Sequence, residues 1–174
     1  TPFMGYCAST IASQKETAEI MNKPQTYAEW INVLTIFKNK DDDEAALKMM
    51  KSGTIEWQYG VAERFSIKLI DAINYRMNVA SDKFQNDLLK SHGYEGAIIQ
   101  AILSLRKEMA FLAEAINLPV IPDKERQHYL NLVIEQANSM QKSLEESAKQ
   151  DRSGKMSSII RNHKINSFFN EGKQ

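Results

Sequence analysis

Between residues 94 and 117 the apolar positions Ile98, Ile102, Leu105, Met109, Leu112 and Ile116 are separated alternately by four and three residues. That alternation is the seam of a helix that packs knobs into holes. Its flanks are apolar as well, at Ile99, Ala101, Leu103, Ala110, Ala113 and Ala115. The solvated strip is then reduced to Gln100, Lys107 and Glu114, which predicts a helix at the centre of a bundle. A second long pattern covers residues 54–91, with Phe65, Leu69, Ile73, Met77, Ala80, Phe84 and Leu88 mostly four apart. Four exceeds the helical repeat of about 3.6, so this stripe must wander around the helix or break. The stretch "NVASD", 78–82, is the expected break, because Ser81 or Asp82 can cap a new start. A third pattern runs from Asp123, a plausible cap, to about Arg152, with Leu130, Val133, Ala137, Met140, Leu144 and Ser147 as its seam.

Shorter segments flank these three. Residues 9–22 predict a first helix. Thr26 then reads as an N-cap for a helix whose stripe is Tyr27, Ile31, Leu34 and Phe37, beside Trp30. The run "DDDE", 41–44, opens a short helix ending at Gly53, where acidic residues complement the helix dipole better than they would bind a cation. An EF-hand would need its glycine and distal glutamate in register, and both are missing. After "RSGK", 152–155, the stretch "MSSIIRNHKINSFF" predicts a short amphipathic helix with Ile159, Ile160, Ile165, Phe168 and Phe169 on its apolar side. Gly154 and the polar residues around it predict that this segment moves separately from the helix before it.

The chain's 7 glycines and 4 prolines fall largely between these patterns, and no alternating β-branched run suggests a strand. The fold class is therefore all-α. Connections of about two residues at Gly93 and about five around Pro119 predict an antiparallel up-down bundle of three long helices, with shorter N- and C-terminal helices. Residues 1–25 read as an N-terminal extension, 26–152 as the bundle and 153–174 as the C-terminal helix and tail. Met4 and Met21 are both admissible starts, which leaves room for added sequence within residues 1–20.

Composition narrows the function classes. The chain has 174 residues, enough for one ordinary domain, and its 43% hydrophobic and 25% charged residues are those of a globular protein. Lys plus Arg and Asp plus Glu each number 22, so the basic excess of a dedicated nucleic-acid or anionic-membrane binder is missing. No apolar run is long enough to span a bilayer, so a soluble, cytoplasmic chain with no membrane partner is expected. The single cysteine, Cys7, excludes an intramolecular disulfide and a multi-cysteine zinc site.

Candidate chemistry is sparse. Glu125 and His128 have the Glu-x-x-His spacing of di-metal bundles, but a second such motif is absent. His128 also lies about 200° around the helix from Leu130, on the predicted wet side. His92, His128 and His163 cannot converge, because the bundle would hold His92 and His128 roughly 30 Å apart. No nucleophile elbow or phosphate-cradling loop is present, so neither catalysis nor a metal or cofactor is expected. Arg76 falls on the apolar side of its helix and would either snorkel to solvent, the favoured reading, or enter a buried ion pair or anchor an anionic ligand. Arg152, Lys155, Arg161 and Lys164 form a basic run that could contact phosphates, but a solvated amphipathic face is the favoured reading, because simple amphipathicity gives a few basic residues on a short helix anyway. The expected function is that of a non-catalytic interaction or regulatory protein. Its exposed apolar residues, in particular Ile159, Ile160, Ile165, Phe168 and Phe169, would engage another protein or a second copy. The alternatives are nucleic-acid binding through the basic run and a small-ligand sensor centred on Arg76.

Overall fold

In the computed structural model, which describes residues 24–52 and 61–168, all regular structure is helical. Helix α1, Tyr27–Asn39, starts where Thr26 Oγ1 accepts the Glu29 N–H at 3.2 Å. It stops at Lys40, whose left-handed backbone turns its own N–H back onto the carbonyls of Ile36 and Phe37. Helix α2, Asp43–Ser52, carries Asp43 and Glu44 in its first turn and Lys51 in its last, charges of the sign the helix dipole favours at each end. The remaining helices are α3, Val61–Lys90; α4, Glu95–Ile116; α5, Asp123–Lys149; and α6, Lys155–Asn162, followed by a 3-10 turn at Ile165–Ser167.

The chain divides into two compact units, Thr1–Ala72 and Ile73–Gln174. In the first, α1 packs on α2, and Trp30, Val33, Leu34 and Phe37 are buried. Trp30 is a core residue here rather than a neighbour of the stripe, and its indole meets Phe65 edge-on at 6.3 Å. The helix predicted over residues 9–22 lies outside the described residues, as does Gly53.

Helix α3 does not break at 78–82. The Ser81 hydroxyl donates to the Met77 carbonyl at 3.1 Å and accepts from the Gln136 side chain at 3.2 Å, so it is satisfied within a continuing helix instead of capping a new one. The chain turns after Lys90 through His92 and Gly93, both with positive φ. Glycine has little penalty in that conformation, whereas His92 sits there under local strain. Ser91 ties the turn together: its hydroxyl donates to Leu88 O at 2.6 Å, and its carbonyl accepts the Tyr94 N–H at 2.9 Å.

In the second unit all six predicted seam residues of α4 are buried. In α5 the inward face contains Val133, Ala137, Met140 and Leu144 as expected, but ends on Gln141 and Ala148, with Ser147 exposed. The C-terminal segment explains the shift, because α6 and the 3-10 turn both pack on α5 and α4. Ile159, Ile160, Ile165 and Phe168 are buried in that contact. Buried Gln141 accepts the Ile165 N–H at 2.7 Å, and Asn166 donates to Asn138 at 3.2 Å.

The expected freedom of this segment is not what the geometry provides. The Asp151 carboxylate accepts from the N–H groups of Met156 at 3.0 Å and Ser153 at 3.1 Å and from the Ser153 hydroxyl at 2.7 Å, closing the turn around Gly154. The Met156 N–H first, then the Ser153 hydroxyl and N–H, hold the Asp151 carboxyl below its usual 3.8. A lowered folded-state pKa means that this anchor contributes fully above the ordinary value and is lost as pH falls through the folded one. The single helix predicted over residues 156–169 is also divided, because His163 leaves helical geometry before the 3-10 turn.

Truncation after Arg152 removes several fully buried aliphatic and aromatic side chains, so the melting temperature in thermal circular dichroism is expected to fall by about 10 °C or more. An unchanged melting temperature would show that the segment contributes nothing to the second unit.

Candidate docking groove between α3 and α4

The register of α3 on α4 is visible in one pair. Arg76 and Glu108 lie equally far in sequence on either side of His92, and their side chains meet in a two-point contact. Arg76 Nε donates to Glu108 Oε1 and its Nη2 to Oε2, each at 2.9 Å. Arg76 is 1% exposed and Glu108 13%. The guanidinium also lies over the Phe111 ring, 4.7 Å from its centre. The favoured snorkelling of Arg76 is thus corrected. Its position on the inward face of α3 brings it to Glu108, which the sequence reading did not single out, and the charge is neutralised inside. Glu108 takes the Nε/Nη2 edge of Arg76 and Phe111 lies against one guanidinium face, so the residue considered as a ligand anchor sits in an internal ion pair.

Toward the turn, α3 and α4 leave an open groove of about 350 Å³. Lys83, Asp87 and Lys90 line it from α3, Ser91 from the turn, and Ala97, Gln100, Ala101 and Ser104 from α4. Lys83 is paired with Asp87 at 2.8 Å, an exposed contact of little energetic weight. Large apolar side chains stand in solvent around the same hairpin: Tyr75 at 50% exposure, Val79 at 40%, Leu89 at 76% and Tyr94 at 74%. Tyr94 occupies the N-cap position of α4 without any side-chain capping bond, where Ser, Thr, Asp or Asn would stabilise the helix more.

These residues were missed by the sequence reading, although a signal existed. Tyr75, Val79, Asp82, Asn86 and Leu89 follow one another by four, three, four and three, a second seam on a helix whose buried stripe had already been assigned. The residues singled out from sequence are placed otherwise. Ile159, Ile160, Ile165 and Phe168 are turned into the second unit, so as a partner surface they are corrected, because burial against α4 and α5 already uses their apolar area. Phe169 lies outside the described residues. Arg152, Lys155, Arg161 and Lys164 are all exposed. Glu125 and His128 are exposed too, as the register of α5 required, and His128 stacks edge-on with Tyr129. Among the described residues no three His, Cys, Asp or Glu side chains gather as a metal site, and no helix is long and apolar enough to cross a membrane.

Fold and surface together define an all-α helical protein with an open groove on one hairpin. Compared with models of known protein families, with curated proteins and with solved structures, the chain matches none of them.

Removing one partner of the buried pair strands the other charge. Glu108→Ala is expected to destabilise the protein by about 3–5 kcal/mol in urea unfolding. Arg76→Met combined with Glu108→Leu should lose far less than the two single changes added together. Additive losses would mean that the two side chains act independently.

Proposed function

We propose that this is a non-catalytic, cytoplasmic interaction protein that binds another protein on the exposed face of α3 and the groove beside it. The observation that carries the reading is the exposure of Tyr75, Val79, Leu89 and Tyr94 on one hairpin. Exposed apolar side chains occurring singly are ordinary, but several along one helix face mark an association surface. Tyrosine in particular supplies contact area at low entropic cost. Of the C-terminal residues first considered, Ile159, Ile160, Ile165 and Phe168 are buried in the protein's own core. A second reading, phosphate contact through Arg152, Lys155, Arg161 and Lys164, draws on the exposure of all four. It is weaker, because the chain has no net basic charge to steer a polyanion.

A paired capture experiment tests the proposal. The native chain and a Tyr75→Lys/Leu89→Lys variant are immobilised and exposed to the same extract. The variant's melting temperature should stay within about 3 °C of the native value, since both positions are on the surface. The expected result is a protein retained by the native chain and lost by the variant. Identical retention by both would contradict the reading. Salt-sensitive retention of nucleic acid that disappears in Arg161→Gln/Lys164→Gln would assign the function to the basic segment instead.

A further inference from the structure

We draw no further inference here: the strongest candidate, the open groove between α3 and α4 with the exposed apolar residues of the same hairpin, carries nothing beyond the proposed function, because nothing in the structure shows what covers it.

Discussion

The ion pair between Arg76 and Glu108 fixes how α3 lies on α4, and the functional reading depends on that placement. Two charges withdrawn from water are tolerable only when each satisfies the other with good geometry. A contact at two points, with both distances 2.9 Å, leaves little freedom to slide one helix along the other. With Arg76 held inward, the positions about a quarter-turn around α3, Tyr75, Val79, Asp82 and Asn86, must face out. The tight turn at Ser91 to Tyr94 fixes the other end of the same hairpin. Between the two constraints the groove between α3 and α4 stays open.

The C-terminal segment has the opposite character. Its apolar residues suggested an interaction surface, and they do interact, but with their own chain. Gln141 illustrates how a buried polar residue is kept: its side-chain oxygen takes the Ile165 N–H and its amide donates to Glu145. An unpaired amide at that depth would cost more than the bond returns. The Asp151 turn then sets the direction in which α6 leaves α5, so a sequence rich in helix breakers produces a docked element instead of a loose one.

Much of the architecture was legible from periodicity. The α4 seam, the Thr26 cap and the wet side of α5 at His128 all follow from 3.6-residue geometry acting locally. What was not legible depended on which elements meet. Ser81 looked like a cap because its hydroxyl could serve one, and only the arrival of Gln136 together with back-bonding to Met77 shows why the helix continues. Arg76 could snorkel or pair, and the choice lay with Glu108, a residue far along the chain. Ser147 continued a regular seam until α6 drew Ala148 inward instead. The exposed stripe of α3 was hidden for a different reason: a helix with apolar residues on two faces reads as one wandering stripe until burial separates them.

The central claim is the proposal that the exposed face of α3 and the groove beside it bind another protein. Backbone-amide NMR shifts of the full chain, followed while the protein retained in the capture experiment is added, test it most directly. The account predicts that the perturbed amides cluster within residues 75–90 of α3 and 94–104 of α4, leaving residues 152–168 unchanged. Perturbations centred on residues 152–168, or spread evenly over the chain, would contradict it.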